Sequence, residues 1–332
     1  MSLLPMLITA ETLLSDSALA FVAPALNPQW IAPRLEQVLG QSLVLENVRV
    51  LRHKVGRRCL IAYDLRLTDG ATPVTLLGKV RSRRLDYQSY HIQQQLWHQG
   101  FDPQSPDGVS VPEPVGMIPE MHLWLQRWVP GTSATSLLPQ CPALAPRIAA
   151  AICKLHHCGI PTPKHHTAAT EVQILQERVP RILQHFPEWQ ARLAVILNAC
   201  VHLANSLPQA PTASIHRDFY PDQVLISGDR IYLLDLDLYC QGDAALDIGN
   251  FVAHLSEQSL RTRSHPDAFA AQESALITAF CEHSGDINPA AIPIYKTLTL
   301  VRHIYISTQI PSRRHTTAQL LNLCEARLCQ SA

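Results

Sequence analysis

One short stretch in the second half of the chain constrains it most. Ser214-Ile215-His216-Arg217-Asp218-Phe219-Tyr220-Pro221-Asp222-Gln223-Val224-Leu225-Ile226 runs through Ser227-Gly228-Asp229 into Ile231-Tyr232-Leu233-Leu234-Asp235-Leu236-Asp237. A polar loop with a carboxylate, an apolar strand, a glycine turn, a second apolar strand and two more carboxylates follow in order. A hairpin of this kind brings Asp218, Gln223 and Asp235 to one end of the paired strands. Oxygen ligands converging there suit Mg²⁺, a hard cation that keeps several waters and substrate phosphates in its shell. A further carboxylate set apart from the metal can orient a hydroxyl and take its proton, the arrangement that phosphoryl transfer requires.

Composition sets the bounds for such a site. The 332 residues can bury a full core, 47% are hydrophobic, and the formal net charge is zero, which describes a globular protein rather than a disordered or polybasic one. Small basic clusters such as Arg81-Ser82-Arg83-Arg84 read as solvated patches, so no nucleic-acid partner is expected. The apolar N-terminal run 1–26 has no basic n-region and is interrupted by Glu11 and Asp16, and no stretch is long and apolar enough to span a bilayer. Export and membrane insertion are therefore not expected, and a cytoplasmic location is. Nine scattered cysteines fit reduced thiols better than a disulfide framework. Cys153, His156, His157 and Cys158, with His165 and His166 beyond, invite a zinc reading, but the segment has the pattern of an ordinary buried helix ending at Gly159.

Strand signals dominate the first half: 43–51, 59–67 and 74–80 are β-rich and separated by turns at Gly56 and at Thr68-Asp69-Gly70. Residues 87–99 read as a helix stopped by Gly100, and 111–118 and 122–129 as two more strands closing on Pro130-Gly131. Helical patterns then cover 143–157, 171–185, 189–206, 266–283 and 293–306. The expected boundary divides an N-terminal lobe, 1–126, from a C-terminal lobe, 127–332.

His216-Arg217-Asp218 followed by Gln223 resembles the catalytic loop of protein kinases, and Asp235 stands where their metal-binding aspartate does. Phe219-Tyr220-Pro221, Leu234-Asp235-Leu236-Asp237 and Gly242-Asp243 through Asp247 bring the chain closer to the aminoglycoside phosphotransferase and choline kinase-like family. That resemblance implies an α+β, bilobal protein kinase-like fold with an antiparallel-sheet N-lobe and a mainly helical C-lobe. It implies ATP and Mg²⁺ as cofactors, Asp218 as catalytic base, and Asp235 and Gln223 as metal ligands. Lys79, at the end of an apolar strand, looks like the lysine that holds the α- and β-phosphates. Gly56 and Arg57 occupy the place of the phosphate-covering loop, where backbone N–H groups would meet phosphates. Gln126 and Trp128 fall on the segment that borders adenine. Asp247 is expected to open a helix over 248–255 and to bond the backbone of the catalytic loop.

Three positions depart from the family pattern. Gln223 stands for Asn, Arg217 for Gly, and the helix after Lys79 offers no glutamate as its partner. The implied activity is transfer of the γ-phosphoryl group of ATP to a hydroxyl of a small molecule; the alternative is a weakly active or inactive nucleotide-binding module. Acidic and basic residues after Tyr239 are nearly balanced, which disfavours a polycationic acceptor such as an aminoglycoside and leaves a neutral sugar or small alcohol open.

Overall fold

The computed structural model describes residue 13 and residues 15–68, 73–285 and 287–330. Asp69 and Gly70 of the expected turn, and most of the first half of the N-terminal apolar run, lie outside the described residues. The chain divides into two compact units, Met1–Pro130 and Gly131–Ala332.

In the first unit, α1 (Pro28–Leu39) starts where the Asn27 side chain accepts the Gln29 N–H at 3.0 Å, and it stops at Gly40 with φ 68°. Both ends follow the usual capping chemistry. Strands β1 (Leu43–Lys54), β2 (Arg58–Leu67) and β3 (Val74–Arg81) form a meander. After α2 (Tyr87–His98) and the two-residue strand β4 (Val109–Ser110) come β5 (Pro114–Ile118) and β6 (Leu123–Arg127). The antiparallel sheet has the order β1-β2-β3-β6-β5, with Lys79 opposite Trp124 and Gly78 opposite Leu125. Its inner face buries Ile61, Tyr63, Leu76, Leu123 and Leu125 with Ile31 and Leu35 of α1. Gly78 is required by that packing: a Cβ there would stand 3.0 Å from both Leu123 Cδ1 and Tyr63 Cε2. Of the segment read as one strand over 111–118, only Pro114–Ile118 forms a strand, and 111–113 lie outside any strand.

The second unit opens with β7 (Thr132–Ser133), α3 (Ala134–Leu137), α4 (Leu144–His156), α5 (Ala168–Arg178) and α6 (Gln190–Asn205). The helix expected over 171–185 breaks at Arg178 into a 3₁₀ segment, Val179–Gln184, with Pro180 in its first turn, because proline cannot continue an α-helix ladder. Then come β8 (Thr212–Ile215), β9 (Val224–Ser227), β10 (Arg230–Leu233) and β11 (Cys240–Asp243). β9 and β10 form the expected hairpin, with β7 on the outer side of β9, and β8 pairs with β11.

Four helices complete the unit: α7 (Ala244–Arg263), α8 (Ala270–Ser284), α9 (Ala291–Gln309) and α10 (Thr317–Gln330). The helix expected over 248–255 is thus much longer and is opened by Asp243, whose side chain accepts the Ala245 N–H at 2.9 Å. α7 and α9 approach so closely that a Cβ on Gly249 would lie 2.4 Å from Tyr295 Cβ. Among the described residues no helix is long and apolar enough to cross a membrane.

Candidate active site

Residues 216–223 link β8 to β9, and the first part of this loop is fixed from beneath by one carboxylate. Asp247, fully buried in the first turns of α7, accepts the His216 N–H at Oδ2 (2.8 Å) and the Arg217 N–H at Oδ1 (2.7 Å). His156 at the end of α4 donates its Nε2–H to Oδ2 at 2.9 Å. Hydrogen bonds to a charged acceptor out of water are about twice as strong as neutral ones; two of them hold the loop to Asp247, and the third, from His156, holds Asp247 in place. Two more contacts complete the support: His216 Nε2 donates to Leu234 O (2.8 Å) and Asn250 Nδ2 to Phe219 O (2.8 Å).

Arg217 adopts φ 67°, a left-handed backbone that favours glycine. That geometry explains why the family pattern has Gly at this point, and Asp247 holds the arginine there. The turn carries Asp218 half-buried, and its carboxylate has no hydrogen-bond partner among the described residues. A fixed backbone presenting an unengaged carboxylate is what a positioned base requires.

Gln223 and Asp235 meet at the adjoining hairpin end. The register pairs Leu233 with Val224, and the Leu234 N–H donates to Gln223 O at 2.9 Å, so the two residues emerge side by side from paired strands. Asp235 leaves the ladder at φ 55° and leads into the 3₁₀ turn Leu236–Leu238. Gln223 is buried, and its Nε2 donates to Tyr220 Oη at 3.1 Å, which leaves Oε1 as the atom able to ligate a cation. Together with Asp235 the donor set is oxygen only, which fits Mg²⁺.

In the first unit Lys79 lies over the buried Trp124, with Nζ 4.6 Å from the ring centroid. Trp124 is backed edge-on by Tyr90 of α2 at 5.9 Å. The ring face steadies the ammonium by its quadrupole, and the helix that follows, Tyr87–His98, carries no glutamate to do so. From α2, Gln93 points inward instead and donates to Pro112 O (2.7 Å) and Gln126 Oε1 (3.3 Å). Gln126 is therefore buried, while the Trp128 side chain is exposed and the Trp128 backbone N–H donates to Thr75 O at 2.8 Å.

At the β1–β2 turn the Gly56 N–H donates to Asp16 Oδ2 at 2.7 Å, with His53 Nε2 on the same oxygen at 2.8 Å. The Arg57 N–H closes the turn on Lys54 O at 2.9 Å. The backbone donors expected for phosphate are engaged within the chain. The Gly56 N–H and His53 lower the Asp16 pKa.

Asn250 and Trp124 were not found by sequence reasoning, His156 was named only in the zinc reading, and Tyr220 only as part of the loop pattern. The zinc reading has no counterpart in geometry: His156 serves Asp247, His157 Nδ1 donates to Cys153 O (2.7 Å), and Cys158 Sγ lies 3.3 Å from Tyr239 Oη. Among the described residues no three His, Cys, Asp or Glu side chains group as a metal site.

The profile of the phosphotransferase enzyme family matches residues 80–281, well over half of the chain. No curated protein matches it. Among solved structures, the chain is similar to a choline/ethanolamine kinase family protein from Mesorhizobium loti. The two share 15% identity over 85% of this chain and 88% of the other, with a TM-score of 0.56. A spectinomycin phosphotransferase, solved in complex with ADP and spectinomycin, shares 12% identity over 89% and 94%, with a TM-score of 0.60. A choline kinase from Cryptosporidium parvum shares 11% identity over 95% and 96%, with a TM-score of 0.57. These likenesses establish the α+β, protein kinase-like fold that the motifs implied. The family match covers the whole run from Lys79's neighbour Val80 through the loop, the hairpin and Asp247, and the chain belongs to the phosphotransferase enzyme family.

Proposed function

We propose that this phosphotransferase is a small-molecule kinase that uses ATP as donor and a hydroxyl compound as acceptor. The observation that carries the reading is Asp218: an unengaged carboxylate on a loop whose backbone is tied down by Asp247, His216 and Asn250. In the reaction the acceptor hydroxyl oxygen bonds to the γ-phosphorus, and the bond from that phosphorus to the β-phosphate oxygen breaks. Its electron pair leaves with ADP, and the hydroxyl proton passes to Asp218.

Asp235 and Gln223 Oε1 would hold Mg²⁺, which when bound neutralises phosphate charge. Lys79, steadied by Trp124, supplies a point charge for the α- and β-phosphates. Gln126 and Trp128 remain the residues proposed beside the base. Use of ATP implies the cytoplasm as working compartment.

A second reading, a nucleotide-binding module without transfer, is favoured by one observation: the Gly56 N–H is already committed to Asp16. The test is Asp218→Asn. It is expected to lose at least a hundredfold in transfer while ATP still raises the melting temperature in the presence of Mg²⁺. Transfer at the wild-type rate in this variant would defeat the assignment. ATP binding without transfer from the wild-type protein to any hydroxyl compound would establish the module instead.

A further inference from the structure

In the second unit three arginines, one of them next to the candidate base, gather around a single buried carboxylate. Glu171, buried on α5, is the hub. Its Oε1 accepts from His166 Nε2 at 2.6 Å and its Oε2 from Arg302 Nη1 at 3.0 Å, so both oxygens are used. Burial pushes the Glu171 pKa up, but Arg302, His166 and Arg217 together hold it down to about 2. Arg302 is also bound through Nη2 to Asn250 Oδ1 at 2.5 Å, and Asn250 holds Phe219 O of the catalytic loop.

Two further guanidiniums are close enough to interact with this group, Arg217 from the catalytic loop and Arg178 from the last turn of α5. Both are half-buried, and neither guanidinium has a hydrogen-bond acceptor among the described residues. Burial and the neighbouring Arg302 lower the pKa of Arg178. A second layer lies behind Tyr220, whose ring stacks on His254 at 4.4 Å, and His254 meets His303 edge-on at 4.3 Å. Arg261 and Arg313 act on both histidines and share Glu257, at 3.1 and 3.8 Å.

Three guanidiniums, Arg178, Arg217 and Arg302, against the single carboxylate of Glu171, whose two oxygens are both engaged, make this cluster cationic. A cationic acceptor would be repelled by it, and a neutral one would leave Arg178 and Arg217 partly desolvated with nothing to bind. Planar guanidiniums pair in bidentate fashion with carboxylate and phosphate. Resting on the kinase reading above, we propose that the acceptor is an anionic hydroxyl compound, a sugar phosphate or a hydroxy acid, whose charged group is held by Arg178, Arg217 and Arg302 while its hydroxyl meets Asp218.

The test has a binding arm that needs no transfer and a turnover arm that does. In the binding arm the full chain is melted with inorganic phosphate, glucose 6-phosphate, glycerate, glucose or choline at equal ionic strength. The anions are expected to raise the melting temperature of the wild type but not of Arg178→Gln, with Arg178→Lys in between. The neutral and cationic compounds are expected to have no effect. Stabilisation by glucose 6-phosphate alone, or by glycerate alone, names the group that is read.

In the turnover arm, ADP release with the better anion is expected to show a KM raised roughly tenfold or more in Arg178→Gln, with kcat changed much less, as the loss of one charged hydrogen bond predicts. No stabilisation by any anion, or equal stabilisation of Arg178→Gln, would overturn the proposal even if transfer to glucose or choline is found, and such transfer would leave the kinase reading standing. Anion binding that depends on Arg178, with no ADP release from any of the five compounds, would uphold the anion site and count against transfer.

Discussion

Replacing Asp247 by Asn tests how the loop that carries Asp218 is held. The carboxylate accepts two backbone N–H groups and the His156 ring, and it is fully buried. In the variant the amide oxygen at the Oδ1 position still accepts from Arg217, without the help of charge. The amide nitrogen can donate to the His156 ring nitrogen, but it faces the His216 N–H donor to donor. One charge-assisted bond to a buried amide is lost, at about 1.5–3 kcal/mol, and a second is weakened by about 1 kcal/mol.

A destabilisation of the loop by about 3 kcal/mol follows, which is near two decades in an opening equilibrium. Hydrogen exchange read by mass spectrometry on a peptide spanning 212–219 should therefore lose about a hundredfold in protection. Asp243→Asn, four residues earlier, provides the control: Asn caps helices about as well as Asp, so exchange in the same peptide should stay within threefold of wild type. Equal protection in Asp247→Asn and wild type would refute the claim that this carboxylate fixes the loop.

Acid should weaken the second unit in a definite window. Burial, followed by Arg302, Arg313 and Arg261, pushes the His303 pKa down to about 3, and His254 is lowered in the same direction by burial and by His303. Both rings stay neutral when folded and protonate near 6.5 when unfolded, so their contribution is complete above pH 6.5 and declines as pH falls toward 3. For His303 alone the loss is about 2 kcal/mol at pH 5, to be read as a shift of the urea midpoint. A His303→Leu variant should flatten that dependence. At the β1–β2 turn, Asp16→Ala should release the Gly56 N–H and speed its exchange while leaving the second unit's protection unchanged.

The loop carrying Asp218 and the hairpin were legible because their signals are local: polar residues between two apolar strands and a glycine turn fix a register within twenty residues. Asp247 was legible through the family pattern, but its third partner was not, since His156 lies 91 positions away. The ring over which Lys79 lies had the same difficulty. Trp124 comes to Lys79 across a strand pair, a relation that depends on register rather than on the helix position where a glutamate was sought.

α7 was read too short because burial extends along nearly the whole of Ala244–Leu260. A helix covered on all sides shows no 3.6-residue periodicity. α10 was missed although Leu320, Leu321, Cys324 and Leu328 carry that period. The arginines around Glu171 come from α5, the catalytic loop and α9, and no linear pattern joins them.

The bond from Asp247 to His156 also bears on how the second unit assembles. It joins the end of α4 to the first turns of α7, and through His216 and Arg217 it holds a loop thirty residues upstream of itself. Contacts this distant in sequence form late, after the chain entropy of closing long loops has been overcome. A partly folded second unit, with its helices present but α4 and α7 not yet docked, would have the loop's sequence without its shape. The appearance of protection at His216 and Arg217 should thus coincide with the last step of refolding, making these two amides a reporter of the completed lobe.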